Sequence, residues 1–232
     1  MDYEVIHRYC YLTTARFVLF SMLITIVHQP KADIVARNLE IARCTENELS
    51  TWDDGKDRKV SAAGLTFVYR HEGAPATLPQ ALVLERIKKS AKAWSLCGIP
   101  SKLELVTTSF RASPEKILIR WEASDGFGYF GLSDLAQHQL SLGVRAFDML
   151  NQRNPYNDHL ETLQMVLSHE MGHFYGLMAH SRRCVDVMSY YHDGRGGECL
   201  TKNPHLLKKF PEYRSSLPTA CDIQRCKRLN GR

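Results

Sequence analysis

The sequence has no CxxC pair, no internal repeat, no low-complexity stretch and no long apolar run. Without a CxxC pair among the seven cysteines, zinc-ribbon and thioredoxin-like classes have no support. The longest apolar stretch, residues 17–27, is too short to cross a bilayer, which takes about 20 residues. The chain is 44% hydrophobic and 24% charged over 232 positions, which argues against wholesale disorder and fibrous classes.

A strong net charge is also missing, and the charge that exists lies at one end of the chain. The formal charge is +5; residues 201–232 hold eight basic and two acidic side chains, which leaves −1 for residues 1–200. The basic segment has no recognised nucleic-acid motif. Its Arg225, Lys227 and Arg228, on one short helix, are expected to form a solvated face. Nucleic acid is therefore not an expected partner.

The N-terminal segment has the layout of an export signal. The basic residues Arg8 and Arg16 precede the apolar run of residues 17–27, and small residues follow it. We therefore predict a signal peptide over residues 1–32, with an uncleaved N-terminal anchor or a buried helix as the alternatives. Its removal would take Cys10 away and leave six cysteines, enough for up to three disulfides in an oxidising compartment. The expected location is secreted or extracytoplasmic, and membrane-anchored if the leader is retained.

The rest of the chain reads as a short lead-in followed by one domain. Residues 33–59 are polar and broken by turn residues, which predicts a surface lead-in, and residues 60–232 form the predicted catalytic domain. Strands interleave with one helix before further helices follow, an order that predicts an α+β fold with helices packed on a mixed sheet. The predicted strands are residues 65–69, 103–108, 116–121, 126–132 and 142–149, and the predicted helices are residues 78–98, 160–176 and 220–230, the last closed by Gly231.

The residues that carry chemistry are 169–173, which read His-Glu-Met-Gly-His. Histidines at i and i+4 of a helix lie on the same face, so His169 and His173 can bind one metal ion. Zinc favours nitrogen ligands in a tetrahedral site that leaves one position open for water. Glu170 lies beside the first ligand, where its carboxylate can take a proton from that water and deliver it to a leaving amine. Zn²⁺ is therefore the predicted cofactor and Glu170 a predicted catalytic residue.

A catalytic zinc site has a third protein ligand, and His180 is the predicted one. Gly176 comes three residues after the second histidine, where a glycine can end the helix and turn the chain through positive φ. His180 follows that turn, and Met188 follows at a distance that fits a supporting turn under the site. His192 and Asp186 are the alternatives for the third ligand.

The string HEMGHFYGLMAHSRRCVDVMSYY resembles the zinc motif and Met-turn of the metzincin endopeptidases, and within them the matrixins. The family pattern is HExxHxxGxxH, whereas this chain has three residues instead of two between Gly176 and His180. The order of strands and helices over residues 60–231 is similar as well. The resemblance implies a metzincin-like mixed twisted sheet with an active-site helix, a long backing helix and a C-terminal helix. It also implies the activity of a zinc endopeptidase.

The resemblance implies two further roles. Tyr190, two residues after Met188, matches a tyrosine that astacins and serralysins use to ligate zinc or to bond the tetrahedral intermediate, so it becomes a second catalytic candidate. Residues 126–132 match the matrixin edge strand that pairs with extended substrate. The alternatives are a packed surface tyrosine and an ordinary loop. Cys44 does not fit the cysteine motif that inhibits matrixins, so a disulfide is expected there.

Three functions compete at this point. The first is a secreted, monomeric zinc-dependent endopeptidase, which hydrolyses protein or peptide substrates by Glu-assisted attack of zinc-bound water. The alternative is a catalytically inactive, zinc-stabilised binding or adhesion module, against which the intact Glu170 argues. A third is an HExxH protease of another class with a distant acidic ligand such as Glu198. The series Gly176, His180 and Met188 argues against the third function.

Overall fold

The computed structural model describes residues 31–106, 110–123, 128–154 and 158–232. Most of the expected leader, with Cys10, lies outside the described residues, as do residues 107–108 and 126–127 of two predicted strands. The chain divides into two compact units, residues 1–40 and 41–232. Residues 31–42 are helical and are labelled α1. The rest of the fold described below belongs to the second unit.

In the described part of the chain, five strands form one mixed sheet: β1 (Leu65–Tyr69), β2 (Ser101–Leu105), β3 (Lys116–Glu122), β4 (Gly131–Asp134) and β5 (Gln139–Gly143). Their order across the sheet is β2-β1-β3-β5-β4. All neighbours run parallel except β4, which lies at an edge and is antiparallel to β5. The edge strand predicted at residues 126–132 corresponds to β4, which begins at Gly131. Residues 128–130 are not in a strand, and residues 126–127 lie outside the described residues.

The described residues also form the α-helices α2 (Gln80–Trp94), α3 (Val144–Arg153), α4 (His159–Phe174) and α5 (Ala220–Asn230). Asp158 caps α4 by accepting hydrogen bonds from the first N–H groups of the helix. Helix α5 begins at a capping box of Thr219 and Asp222 and ends at Gly231, whose φ is 70°. The helices predicted for residues 78–98, 160–176 and 220–230 are confirmed, and with the mixed sheet so is the α+β fold.

The strand predicted for residues 142–149 is wrong, because β5 ends at Gly143 and α3 begins at the next residue. Leu140 and Leu142 alternate with polar residues and both point into the core from β5. Ala146 and Phe147 are both buried although they are adjacent. In a strand, Arg145 and Asp148 would lie on opposite faces, so neither face would be apolar, whereas a helix can bury Ala146 and Phe147 together. A short apolar run does not distinguish the two structures by its periodicity.

The core holds α4 in place against the sheet and against α2. Phe67 and Ile119 of the sheet and Leu163 of α4 are fully buried in one apolar cluster. Trp94 at the end of α2 is also fully buried, and its indole N–H donates to the Ser168 carbonyl at 2.8 Å. Because this polar atom keeps a hydrogen bond, the aromatic side chain is buried without an unpaired donor. The segment of α4 that precedes His169 is therefore fixed on both sides.

The six cysteines within the described ranges form three disulfides, Cys44–Cys221, Cys97–Cys226 and Cys184–Cys199. Their number matches the expectation for the chain without Cys10, and the disulfide expected at Cys44 is confirmed. Three disulfides fit an oxidising, extracytoplasmic compartment. Within the described ranges, none of the helices has both the length and the apolar character needed to span a membrane.

Candidate metal centre

Helix α4 carries the first two histidines of the site, His169 and His173, whose ring centroids lie 5.2 Å apart. Between them, Gly172 leaves room for two large side chains beneath the helix. A Cβ at Gly172 would lie 2.3 Å from the Met188 sulfur and 2.8 Å from the Trp94 ring. Met188 itself is fully buried. The turn containing Met188 therefore packs directly under the two histidines.

The third histidine arrives through a turn at Gly176. The φ of Gly176 is 99°, a conformation that favours glycine, and a Cβ there would lie 2.1 Å from the Arg58 carbonyl oxygen. Beyond the turn, the ring of His180 lies 5.1 Å from that of His169 and 5.2 Å from that of His173, centroid to centroid. One ring nitrogen of each histidine lies within 4.8 Å of the other two. The structure thus brings together the three histidines expected as ligands.

The alternative ligands do not join this cluster. The buried carboxylate of Asp186 accepts hydrogen bonds from the Arg183 guanidinium and from two hydroxyl groups. His192 pairs with Glu198 through a β-bridge. Among the described residues, neither Asp186 nor His192 nor Glu198 belongs to a group of side chains that could hold a metal ion.

Two of the histidines bind backbone carbonyl groups through Nδ1. The Nδ1 of His169 donates to the Val187 carbonyl at 2.7 Å, and the Nδ1 of His173 donates to the Leu177 carbonyl at 2.7 Å. Because a carbonyl oxygen only accepts, both Nδ1 atoms carry the ring proton. The lone pair of each neutral ring is then on Nε2, the atom that can bind a metal.

The third histidine binds a carboxylate instead. The Nδ1 of His180 lies 2.7 Å from Asp54 Oδ2. Burial alone would raise the pKa of Asp54, but hydrogen bonds from the backbone and ring of His180 outweigh it and lower that pKa. The ionised carboxylate accepts the Nδ1 proton, so in the neutral form of this ring the lone pair is on Nε2. The Nε2 of His180 is buried and has no hydrogen-bond partner among the described residues.

The charge state of the two α4 histidines suits a metal. Burial, followed by the charge of His180, lowers the pKa of His169 to about 3. Burial, followed by the charge of His169, lowers the pKa of His173 to about 4. Both rings are therefore neutral at physiological pH, which is the form that ligates metal ions. Three imidazole nitrogens with an orphaned Nε2 among them fit Zn²⁺ with one open position.

Glu170 lies beside the histidines and is held by the edge strand β4. The Ser133 hydroxyl lies 2.9 Å from Glu170 Oε2 and 2.8 Å from the Glu170 carbonyl oxygen, and both can accept its proton. Gly131 allows β4 to come this close, since a Cβ there would lie 2.7 Å from Glu170 Cγ. Burial raises the pKa of Glu170. A raised pKa suits a carboxylate that takes up a proton and gives it back.

Tyr190 lies against the third histidine. Its ring stacks on that of His180 with centroids 3.9 Å apart and planes inclined by 23°, and the residue is 43% exposed. Burial, followed by the charges of Glu170 and Asp54, raises the pKa of the Tyr190 phenol. The hydroxyl therefore keeps its proton at neutral pH and can act as a donor.

Sequence reasoning missed residues 50–58, which we call the strap. The strap runs along the loop that leads to His180 and is bonded to both ends of that loop. The Arg58 N–H donates to the Gly176 carbonyl at 3.0 Å, and the Trp52 N–H donates to the His180 carbonyl at 2.9 Å. The polar lead-in expected at the surface thus contributes directly to the surroundings of the site.

Two aspartates of the strap accept the N–H groups of the same loop. Asp57 Oδ1 accepts from Met178 at 2.8 Å and from Ala179 at 3.0 Å. Asp54 Oδ1 accepts from the His180 N–H at 2.8 Å. The loop is one residue longer than the metzincin pattern, and these carboxylates pair the N–H groups of residues 178–180. Hydrogen bonds to these carboxylates therefore hold the longer loop in place.

No local signal in the sequence marks these two aspartates. The residues around Asp54 read as a turn, and 126 positions separate Asp54 from His180. Asp57 pairs with Arg225 of α5 at 2.6 Å, and Arg225 is only 9% exposed. The expectation that Arg225 lies on a solvated face is therefore wrong. Inside the fold, the positive charge of Arg225 is compensated by the carboxylate of Asp57, which lies 168 positions away in the sequence.

A scan against protein-family models and a search of curated proteins each find no match. Solved structures do resemble the chain. One is the GM1-bound form of the ECX AB5 holotoxin, with a TM-score of 0.46 and 12% identity, covering 81% of this chain and 91% of that one. Another is a zinc-dependent peptidase from Methanocorpusculum labreanum, with a TM-score of 0.39 and 12% identity, covering 69% and 99%. Both TM-scores are too low to carry a conclusion about function.

Proposed function

We propose that the chain is a secreted zinc-dependent endopeptidase of the metzincin type, which acts as a monomer on protein or peptide substrates. The observation that carries the proposal is the convergence of three histidines whose Nδ1 atoms are all occupied, beside the Glu170 carboxylate. In this proposal His169, His173 and His180 hold Zn²⁺ through Nε2. Nucleic acid takes no part, and a membrane does so only if the leader is retained.

The proposed mechanism assigns the proton transfers to Glu170. Zinc held by these three histidines would supply a bound water of lowered pKa and would polarise the scissile carbonyl. The Glu170 carboxylate takes a proton from the attacking water and later delivers it to the nitrogen of the leaving amine. The hydroxyl of Ser133, 2.9 Å from Oε2, orients that carboxylate. The raised pKa of Glu170 supports both halves of this role, since the group must hold the proton between the two steps.

Two further elements have roles in the proposal. The hydroxyl of Tyr190, on a ring stacked against His180, donates a hydrogen bond to the oxyanion that develops on the substrate. The edge strand β4 pairs with β5 on one side only, as far as the described residues go. An extended peptide can add to its other side by main-chain hydrogen bonds. Leu132 of β4 is 50% exposed and is available to contact substrate side chains.

The test compares the full disulfide-bonded chain with Glu170→Gln. We expect the parent chain to bind one zinc ion and to cleave casein or gelatin. The variant should keep its zinc and lose cleavage by a factor of about 10² to 10⁴, because the proton transfers are lost and the ligands are not. Glu161→Gln is the matched control, because Glu161 is an exposed glutamate in the first turn of the same helix. It should cleave at the parent rate.

Two results would contradict the proposal. A zinc-loaded parent chain that cleaves neither protein nor peptide panels would favour the zinc-stabilised binding module. Equal activity of the parent and Glu170→Gln would remove the carboxylate from the mechanism.

A further inference from the structure

The three histidines differ in what their Nδ1 atoms bind. His169 and His173 donate to neutral backbone carbonyls, whereas His180 donates to the carboxylate of Asp54 at 2.7 Å. A carboxylate on the far nitrogen of an imidazole fixes the tautomer and makes the metal-facing nitrogen more basic. The ring of His180 therefore donates a stronger, charge-assisted hydrogen bond than the rings of the two histidines on α4.

Asp54 also fixes the position of that histidine, because its two oxygens bind different parts of the same residue. Oδ1 accepts from the backbone N–H of His180 at 2.8 Å, and Oδ2 accepts from the ring at 2.7 Å. The side chain of His180 is only 12% exposed, and one face of its ring stacks on the ring of Tyr190, with centroids 3.9 Å apart. The ring is thus held from the backbone, from Nδ1 and from one face, which leaves Nε2 pointing towards the other histidines.

We propose that Asp54 is the positioning residue of the third metal ligand, acting through His180 to set the affinity of the site for Zn²⁺. This inference rests on the proposed function, since it takes His180 as a ligand. It gives the lead-in segment a role in the metal site that its sequence does not indicate.

The backbone on either side of Asp54 is held against the loop that leads to His180. Thr51 forms a β-bridge with Ser181, and the Trp52 N–H donates to the His180 carbonyl at 2.9 Å. Immediately before Asp54, the strap therefore runs along the loop of residues 176–180. Directly after it, Gly55 packs so tightly that a Cβ there would lie 2.5 Å from the Met178 carbonyl oxygen. The backbone on both sides of Asp54 therefore contacts the loop.

A purely structural role for Asp54 would tie the strap to the loop without affecting the metal. Asp57 is the natural comparison, because its carboxylate bonds the same loop at Met178 and Ala179 but no histidine. It also pairs with Arg225 at 2.6 Å. Removing the charge of Asp57 should weaken the fold, whereas removing that of Asp54 should weaken zinc binding.

The experiment measures zinc dissociation constants of the full disulfide-bonded chain by competition with a chromogenic chelator, at a temperature where circular dichroism shows every variant to be folded. Asp54→Asn keeps the shape and one acceptor and loses the charge; Asp54→Ala removes both. We expect each to bind zinc about 10- to 100-fold more weakly than the parent. Asp57→Asn should stay within about threefold. Absorption spectra of the Co²⁺-substituted chains should shift for Asp54→Asn and not for Asp57→Asn.

The outcomes separate this inference from the proposed function. If the parent binds zinc and Asp54→Asn binds it equally well with an unchanged Co²⁺ spectrum, the role of Asp54 is refuted while the peptidase proposal stands. Equal weakening in Asp54→Asn and Asp57→Asn would also refute it, because the strap would then act only as a tether. A parent chain that binds no zinc would overturn both proposals.

Discussion

At the scale of single residues, the contact between Ser133 and Glu170 links the edge strand to the proposed proton transfer. The Ser133 hydroxyl has one proton and two acceptors within reach, Glu170 Oε2 and the Glu170 carbonyl oxygen. Both acceptors belong to the same residue, so the hydroxyl restrains this glutamate in either case. A hydrogen bond to a charged group contributes about 1.5–3 kcal/mol.

We predict that Ser133→Ala lowers kcat about tenfold or more and leaves the zinc content unchanged. The reason is that the carboxylate loses its restraint while the three histidines keep their partners. Steady-state cleavage of a quenched peptide and zinc analysis would measure the two quantities. Ser141→Ala on the neighbouring strand is the control, since its hydroxyl accepts from Gln139. A variant with the parent kcat would show that Ser133 has no part in the reaction.

At the scale of elements, the end of α4 decides where the third histidine goes. Gly176 and Gly196 have nearly the same backbone conformation, with φ of 99° and 97°. They differ in their surroundings: a Cβ at Gly176 would lie 2.1 Å from the Arg58 carbonyl oxygen, whereas a Cβ at Gly196 would meet no atom of the described residues within 4 Å. The two glycines thus separate the effect of conformation from the effect of close approach.

We predict that Gly196→Ala lowers the free energy of unfolding by about 1–2 kcal/mol, the cost of the left-handed conformation alone. Gly176→Ala should lose at least about 2 kcal/mol more, because the strap has to move away from the loop. Chemical denaturation of both variants would measure this difference. Equal losses would mean that the strap yields to the methyl group at no cost.

A second joint between elements connects the turn before Met188 with the start of α5. The buried Asp222 accepts hydrogen bonds through Oδ2 from the N–H groups of Val187 at 3.0 Å and Thr219 at 2.9 Å. The Thr219 hydroxyl donates a hydrogen bond to a second buried carboxylate, that of Asp186, at 2.6 Å. Burial, followed by the charge of Asp186, raises the pKa of Asp222 from 3.8 to about 7.

This raised pKa predicts a pH-dependent difference between the parent chain and Asp222→Asn. Between about pH 4 and pH 7 the folded parent holds a proton that the unfolded chain has released, so its stability falls as pH rises through that window. The asparagine stands in for the protonated acid and does not titrate. Unfolding free energies should be similar near pH 4, and the variant should become the more stable chain by pH 8. A constant difference across this range would contradict the prediction.

At the scale of the whole molecule, disulfides of very different span close the fold. Cys44–Cys221 joins residues 177 positions apart and fastens the chain before the strap to α5. Cys184–Cys199 joins residues only 15 positions apart. A cross-link stabilises mainly by restricting the unfolded chain, and the effect grows with the length of the closed loop.

Replacing both cysteines of a pair by alanine should therefore cost more for the long loop. In the chain-entropy estimate, Cys44→Ala/Cys221→Ala lowers the free energy of unfolding by about 5 kcal/mol, against about 3 kcal/mol for Cys184→Ala/Cys199→Ala. We also expect the first variant to bind zinc more weakly, since the strap that presents Asp54 loses its anchor. Urea unfolding and chelator competition would test the two parts. Equal losses of stability would contradict the loop-length explanation.

Much of the fold follows from patterns within a few residues of each other. The bounds of α5 are predictable because Gly231 is a local stop signal, and the spacing of His169 and His173 on one helix face needs only the helical repeat. The strand predicted at residues 142–149 is wrong because that prediction also used only local patterns. A short apolar run has two local solutions, and burial in the folded chain selects the helix.

The sequence by itself determined the HExxH motif, the glycine turn that follows it, the order of the main elements and a number of cysteines that allows three disulfides. Only the tertiary structure decided that Asp54 supports His180 and that Arg225 lies inside the fold beside Asp57. These partners are more than 120 positions apart in the chain. No local periodicity or turn signal encodes such a pair, because its members meet only after the strap has bonded along residues 176–180.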